Sequence, residues 1–283
     1  MIIWLASYPK SGNTWLRAFI TSLIYPKNKD NILNNIKYID QYPIKNHFQN
    51  LLSDFNDFNK IAKNWEISQS LINLDNKIRF FKTHHILCQI KESLFTNYQN
   101  TLGVIHIVRD PRNVITSLKH HYSLDNYDQA LEFMLDYNKF SGRLDKKENL
   151  KQAEFPAWIS NWKNHYNSWK SFKKNYLLIR YEDLIHNPQK NFFKISRYIG
   201  KITKIDIEKD TINNAIINCS FDKLKKIEEK EGFIESPIDK YSKTQKKFFN
   251  LGPENKWEKN LPTSIKLKIE NEFKKEMEEL GYL

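Results

Sequence analysis

With 283 residues, of which 40% are hydrophobic and 14% aromatic, the chain can bury a sizeable core, and a largely disordered protein is excluded. The formal net charge of +12 allows an acidic partner. However, lysine greatly outnumbers arginine, and asparagine and isoleucine are abundant, which is more typical of an AT-rich coding sequence than of a surface that reads phosphates. We therefore expect no nucleic acid as a partner.

The two cysteines, Cys88 and Cys219, have neither the spacing of metal ligands nor that of a disulfide framework, so we expect a reducing compartment. No apolar run reaches the length of a transmembrane segment, and no signal peptide precedes the first predicted strand. These observations predict a cytoplasmic protein.

The first seventeen residues, MIIWLASYPKSGNTWLR, predict a strand, a turn and a helix. Residues 1–6 form a short apolar run typical of a buried strand, and residues 7–12 contain the proline and glycine of a tight turn. We expect Asn13 or Thr14 to cap the helix that follows. The apolar face of this helix contains Trp15, Phe19, Ile20 and Leu23.

This strand, turn and helix predict an anion site. Backbone N–H groups at a helix N-terminus point in one direction, and Lys10 adds a positive charge beside them. A nucleoside-triphosphate P-loop places its lysine directly after the last glycine, whereas Lys10 precedes Gly12 by two positions. From Lys10, Ser11 and Gly12 alone, an ordinary turn with an exposed lysine is an equally good interpretation.

A second strand is predicted over residues 78–83, and two histidines follow it. Adjacent side chains point to opposite faces, so His84 and His85 do not predict a zinc site. The functional interpretation is a general base, because histidine titrates close to neutral pH. The alternative is a polar loop.

A third strand, Thr101–Val108, leads into Arg109 and a helix that starts near Pro111. Arg109 therefore lies at the carboxyl end of a strand, where open α/β sheets bind ligands. Ser117 lies eight residues further on, about two helical turns away. An ion pair of Arg109 with Asp110 or with another acidic residue of a loop is the alternative.

The rest of the chain predicts further elements. Residues 25–74 are polar, with short helices such as 61–71, and are not expected in the sheet core. Helices are predicted over 127–143, 155–172, 189–199, 205–218 and 264–279, with Ser264 capping the last; a charged linker is predicted over 144–154 and a buried strand over Tyr176–Arg180.

Four segments, in order, resemble motifs of the sulfotransferases that use 3′-phosphoadenosine 5′-phosphosulfate (PAPS). YPKSGNTW resembles their 5′-phosphosulfate loop, KTH their segment with the acceptor base, and IVRDPRNVITS their 3′-phosphate motif. RYEDLIHNP resembles a segment whose tyrosine lies near the adenosine. The resemblance implies one α/β domain over residues 1–283, with a central parallel sheet flanked by helices and a P-loop-like strand, loop and helix.

The resemblance also assigns roles to residues. It implies His84 as the general base and Lys10 and Lys82 as catalytic positive charges. The implied cofactor-binding residues are Lys10, Ser11, Gly12, Asn13, Thr14, Trp15, Arg109, Ser117, Tyr181, Ser220, Phe221 and Gly252. No metal is implied.

The sequence departs from the family pattern in two places. Cys219 replaces a threonine, and Asn250 and Leu251 replace an arginine and a lysine that hold the 3′-phosphate. Lys246 and Lys247, a few residues upstream, are candidates to replace the lost charge. A dimer motif of some family members is only partly present, which leaves a homo-oligomer open.

The implied reaction transfers a sulfuryl group from PAPS to a hydroxyl group and leaves adenosine 3′,5′-bisphosphate (PAP). The acceptor, a small molecule, a glycan or a lipid, is expected to contact residues 25–75 and 120–155; N-sulfation is the second choice. Two alternatives are a P-loop kinase of a small hydroxyl substrate and a non-catalytic protein that binds nucleotides or polyanions.

Overall fold

The computed structural model describes residues 1–25, 32–142 and 155–283. The predicted linker over 144–154, and parts of the two ranges expected to contact the acceptor, lie outside the described residues. The strands are β1 (Ile2–Ala6), β2 (Asp40–Gln41), β3 (Arg79–Thr83), β4 (Gln89–Ile90), β5 (Ser93–Leu94), β6 (Thr101–Val108), β7 (Phe140–Ser141), β8 (Ala157–Trp158) and β9 (Tyr176–Arg180).

The α-helices in the described part of the chain vary from one turn to four. They are α1 (Asn13–Ile24), α2 (Ile32–Asn35), α3 (Phe58–Lys63), α4 (Trp65–Ile72), α5 (Pro111–His121), α6 (Tyr127–Leu135), α7 (Trp162–Lys170), α8 (Tyr181–His186), α9 (Pro188–Thr203), α10 (Lys209–Asn218), α11 (Phe221–Glu231), α12 (Trp257–Asn260), α13 (Thr263–Glu272) and α14 (Lys274–Glu279). Short 3₁₀ helices cover Ile36–Tyr38, Lys45–His47 and Gly252–Glu254.

The main sheet has the strand order β2-β3-β1-β6-β9. Strand β1 pairs in parallel with β3 and β6, and β2 pairs in parallel with β3. All five residues of β1 are buried, because a parallel strand between two others has both of its faces covered. The predicted α/β class with a central parallel sheet is confirmed, and so is the strand, loop and helix at the N-terminus.

Two predicted helices are too long. The helix predicted over 127–143 ends at Leu135, and the one predicted over 155–172 covers only Trp162–Lys170. Between them, β7 and β8 form an antiparallel pair that includes Trp158. The three- and four-residue spacing of aromatic residues therefore extended the predicted helix into a strand. Asn161 marks the true start, since its side chain accepts a hydrogen bond from the Asn164 N–H.

Other boundaries also differ from the predictions. The helix predicted over 61–71 is interrupted at Asn64, and the one predicted from residue 205 begins at Lys209. Ser264 lies inside α13, whose N-cap is Pro262. The polar stretch 25–74 also contributes to the core, because Tyr42 is fully buried with its ring 5.3 Å from that of Trp4.

The chain divides into two compact units. One comprises Met1–Tyr8, Ile39–His106 and Leu135–Leu178, and the other comprises Pro9–Tyr38, Ile107–Met134 and Ile179–Leu283. The first has an aromatic core that includes Trp4, Tyr42, Phe48, Trp65, Phe95 and Trp169. One domain over residues 1–283 stays a prediction. Among the described helices, none has both the length and the hydropathy that crossing a membrane requires.

Candidate nucleotide site and candidate general base

The turn after β1 requires glycine at position 12. Gly12 has a φ of +101°, and a Cβ atom there would lie 2.5 Å from a side-chain carbon of Tyr181. Gly12 is also the N-cap of α1, and no side chain accepts a hydrogen bond at this cap. The prediction that Asn13 or Thr14 caps the helix is therefore wrong. A helix N-terminus without a side-chain cap is suited to an anionic ligand.

Lys10 lies beside the end of α5 and the segment that follows α11. Its Nζ is 3.3 Å from His121 Nδ1 and 4.0 Å from the centroid of the Phe248 ring. An ammonium group can only donate hydrogen bonds, so a neutral His121 accepts from it. The aromatic ring stabilises the same charge. The contacts with His121 and Phe248 therefore orient the ammonium group of Lys10.

Arg109 brings several of the predicted nucleotide-binding residues together. Its Nη1 donates to the Lys10 carbonyl oxygen at 3.2 Å and to Ser117 Oγ at 3.3 Å. Its guanidinium carbon lies 4.2 Å from the centroid of the Tyr181 ring. Arg109 is only 6% exposed, and its Nε is buried without a hydrogen-bond partner among the described residues. Part of a buried, positively charged donor group is therefore left for a ligand.

Asp110 does not pair with Arg109. Its carboxylate accepts from Arg112 at 2.7 Å, and its side chain caps α5 through the Arg112 N–H. Arg112 also pairs with Glu270 at 2.6 Å and donates to the Tyr282 carbonyl oxygen. The alternative interpretation of Arg109, an ion pair with Asp110, is therefore wrong.

Glu182 has a structural role. Its carboxylate accepts from the Asp110 N–H at 3.0 Å and from the Tyr282 hydroxyl at 2.9 Å. Burial raises the pKa of this carboxyl. Neighbouring Asp183 pairs instead with Arg180. The two acidic residues thus anchor different segments, as expected for adjacent side chains.

Trp15, Tyr181 and Phe221, three of the residues predicted to bind the cofactor, provide aromatic surfaces. Trp15 Nε1 donates to the Cys219 carbonyl oxygen at 2.7 Å, and its ring contacts that of Tyr181 edge-on. Phe221 packs against Gly252 so closely that a Cβ there would lie 2.2 Å from the ring. Cys219 is fully buried, and burial raises the pKa of its thiol to about 12. Ser220 is the N-cap residue of α11.

Lys246 and Lys247 are already paired. These are the lysines expected to replace the charge that is missing at Asn250 and Leu251. Lys246 Nζ lies 3.0 Å from Ser123 Oγ and 3.7 Å from Asp239. Lys247 pairs with Glu229 at 2.7 Å. These contacts give no support to the prediction that the two lysines hold a phosphate.

Asn255 was missed by the sequence analysis. Its Nδ2 donates to Ser117 Oγ at 3.1 Å and to the Asn113 carbonyl oxygen at 2.8 Å. The residue is 5% exposed. No motif marks it, because its contact with Ser117 depends on the path of a loop 138 residues further along the chain.

In the first unit, Ser7 fixes the tautomer of His84. The Nδ1 of His84 lies 2.7 Å from the Ser7 carbonyl oxygen and 3.2 Å from Ser7 Oγ. A carbonyl oxygen only accepts, so the short contact places the proton of the neutral ring on Nδ1. The acceptor of the ring is then Nε2. This is the tautomer that a general base requires.

His85 is part of the core. It is fully buried, its ring stacks on Phe95 with centroids 4.3 Å apart, and Nδ1 lies 2.7 Å from the Ile86 carbonyl oxygen. Burial lowers the pKa of His85 to about 3. The half-buried Lys82 lies in β3, two residues before His84. Thr83 Oγ1 accepts a hydrogen bond from the His85 N–H, which fixes the turn between them.

The predicted residues therefore fall into two groups. Lys10, Gly12, Arg109, Ser117 and Tyr181 are linked by direct contacts within the second unit. His84 and Lys82 belong to the first unit, where His84 contacts Ser7. The roles of all these residues stay predictions.

Comparison with known proteins identifies the family. The model of the sulfotransferase domain matches residues 2–281. Flavonol 3-sulfotransferase of Flaveria bidentis is 26% identical over 267 residues, which cover 90% of this chain and 75% of that protein. Sulfotransferase 1 family member D1 of Mus musculus is 23% identical, with 98% of this chain and 83% of the relative covered.

Solved structures share the fold. Mouse sulfotransferase SULT7A1 complexed with PAP superposes with a TM-score of 0.59 at 20% identity, covering 98% of this chain and 84% of that one. Retinol dehydratase in complex with androsterone and inactive cofactor PAP gives a TM-score of 0.58 at 16% identity, with 98% and 80% covered. The chain therefore belongs to the sulfotransferase domain family, as the resemblance of its motifs to PAPS-dependent sulfotransferases predicted.

Proposed function

We propose that this protein transfers the sulfuryl group of PAPS to a hydroxyl group of an acceptor and releases PAP. The observation that carries the proposal is the buried guanidinium of Arg109. It contacts Ser117 and the Lys10 carbonyl, lies over the ring of Tyr181, and has no carboxylate partner among the described residues. This arrangement suits a terminal dianionic phosphate, such as the 3′-phosphate of PAPS.

The 5′ side of the donor is assigned to the loop from Lys10 to Trp15. The uncapped N-terminus of α1 supplies backbone N–H donors, and Lys10 supplies a positive charge held by Phe248. During transfer, the bond between sulfur and the bridging oxygen breaks, and negative charge develops on the 5′-phosphate. Donors that are already oriented toward this charge lower the barrier without reorganising.

His84 is assigned as the general base. The acceptor oxygen forms a new bond to sulfur, and its proton passes to Nε2 of the neutral His84 ring. The Ser7 carbonyl, 2.7 Å from Nδ1, then stabilises the imidazolium that results, since both ring nitrogens carry protons. Lys82 is assigned as a further positive charge for the transferring group. The proposed cofactor is PAPS alone, and the chemistry needs no metal.

Calorimetric titration of the purified protein tests the donor. We expect PAP to bind without magnesium and more tightly than ADP or magnesium-ATP. A preference for magnesium-ATP would overturn the proposal in favour of a kinase. Binding of PAP without transfer from radiolabelled PAPS to phenols, sugars or hydroxylated lipids would favour a non-catalytic nucleotide-binding protein.

A further inference from the structure

The hydroxyl group of Ser117 has an unusual set of partners for a serine inside a helix. Such hydroxyls commonly donate to the carbonyl oxygen four residues earlier. Here that carbonyl, of Asn113, accepts from Asn255 Nδ2 at 2.8 Å. Ser117 Oγ in turn accepts from Asn255 Nδ2 at 3.1 Å and from Arg109 Nη1 at 3.3 Å.

The orientation of the Asn255 amide follows from these contacts. The Asn113 carbonyl can only accept, so the atom that faces it at 2.8 Å is the nitrogen. The two amide protons then point to Asn113 and to Ser117. The amide oxygen is buried without a hydrogen-bond partner among the described residues, which is costly for stability. A residue kept in place at such a cost is a candidate for a functional role.

The two donors to Ser117 leave its hydroxyl one function. A hydroxyl oxygen accepts through two lone pairs and donates through one hydrogen. With both lone pairs engaged by Asn255 and Arg109, the hydroxyl hydrogen is what Ser117 can still offer to a ligand. None of the hydrogen bonds in the described part of the chain uses Ser117 Oγ as a donor to a side chain or carbonyl.

We infer that Asn255 is a positioning residue that fixes Ser117 as a hydrogen-bond donor to the 3′-phosphate of the nucleotide. The inference rests on the proposed function. The uncharged Ser117 hydroxyl would then replace part of the phosphate contact that the family's arginine and lysine make at the positions of Asn250 and Leu251. Specificity for a 3′-phosphorylated nucleotide then depends on the hydrogen bonds that join Asn255 and Arg109 to Ser117. It does not depend on Lys246 or Lys247, which are paired with acidic residues.

The test compares the dissociation constants of PAP and of adenosine 5′-phosphate, which differ by the 3′-phosphate alone. Asn255→Ala should weaken PAP about 10-fold, the lower end of what a hydrogen bond to a charged group contributes, and leave adenosine 5′-phosphate unchanged. Asn255→Asp should weaken PAP further, because a carboxylate accepts the Ser117 hydrogen and repels the phosphate. Asn260→Ala, which removes an exposed amide from the same segment, is the control.

A double-mutant cycle separates positioning from general support of the fold. In a Ser117→Ala background, Asn255→Ala should cost PAP binding less than 2-fold. If Asn255→Ala weakens both nucleotides equally, or keeps its full effect without Ser117, the inference is wrong. If the wild-type protein itself does not prefer PAP over adenosine 5′-phosphate, the proposed function fails instead. If Arg109→Met and Ser117→Ala lose the preference while both Asn255 variants keep it, only the inference fails.

Discussion

Arg109 and Arg112 lie three residues apart in one motif, but their guanidinium groups have partners of different charge. Both are nearly fully buried, and both guanidinium groups lie over an aromatic ring, of Tyr181 at 4.2 Å and of Trp257 at 4.0 Å. Arg112 is neutralised by Asp110 and Glu270. Arg109 instead contacts neutral oxygens. The presence of a counter-charge therefore distinguishes the two arginines, and only Arg109 suits the proposed role of binding an anion.

His84 and His85 repeat this contrast in the first unit. His85 is buried against Phe95, and its ring is part of the core. His84 is half-buried, and its Nδ1 is held by Ser7. A side chain enclosed by the core cannot exchange protons with a substrate. The proposed role of His84 as general base uses its other ring nitrogen, Nε2.

The largest effect is expected for His84→Ala. Removing a general base typically costs about 10² to 10⁴ in rate. Transfer from PAPS should fall by that factor while the dissociation constant of PAP stays within about 2-fold. Ser7→Ala, which keeps the carbonyl contact, is the control and should lose much less activity. Full activity in His84→Ala would contradict the assignment.

Arg112→Met should have the next largest effect, on stability. It leaves the buried carboxylate of Asp110 without its cation, and breaking such a pair costs about 3–5 kcal/mol. Glu270 is only partly buried and keeps its contact with Lys266 at 3.8 Å. Urea unfolding at neutral pH measures this loss. A free energy of unfolding within about 1 kcal/mol of wild type would contradict the structural role of Arg112.

Arg109→Met should affect PAP binding more than stability, the reverse of what we expect for Arg112→Met. No buried carboxylate loses a salt bridge, so the free energy of unfolding should change by much less than in Arg112→Met. PAP binding should weaken by about 10- to 100-fold, since hydrogen bonds to charged groups contribute about 1.5–3 kcal/mol. Calorimetry with PAP and urea unfolding of both variants measure the two effects. Equal losses of stability in the two variants would show that Arg109 is as important for folding as Arg112.

The smallest effect concerns the pH dependence of His85. Its pKa is lowered to about 3 in the folded protein, so the unfolded chain binds one more proton between about pH 6.5 and 3. Stability is therefore lost as the pH falls through this window. At pH 5 the loss from His85 is about 2 kcal/mol relative to pH 7.5.

His85→Phe should remove this part of the acid destabilisation. Urea unfolding of both proteins at pH 7.5 and pH 5 measures it, and each protein's own value at pH 7.5 corrects for changes in packing. An unchanged difference between the two pH values would show that His85 takes up protons in the folded state.

The sequence by itself determined the features that depend on neighbours in the chain. The continuous apolar run of β6 gave its bounds, because a strand buried on both faces needs no periodicity. The bounds of β9 were also predicted, but β9 is an edge strand in which only Ile179 is buried, so the prediction of a buried strand is wrong there. The eight-residue spacing of Arg109 and Ser117 was also visible in the sequence, and the resemblance to the 3′-phosphate motif indicated that the two side chains act together.

Only the tertiary structure decided the features that depend on distant segments. The pairing of β7 with β8 interrupted a helical pattern, because hydrogen bonds between strands are not encoded in periodicity. The burial of His85 also depended on a distant residue, because its ring stacks on that of Phe95. Asn255 reaches Ser117 across 138 residues, and a contact of that range arises only when the chain has folded.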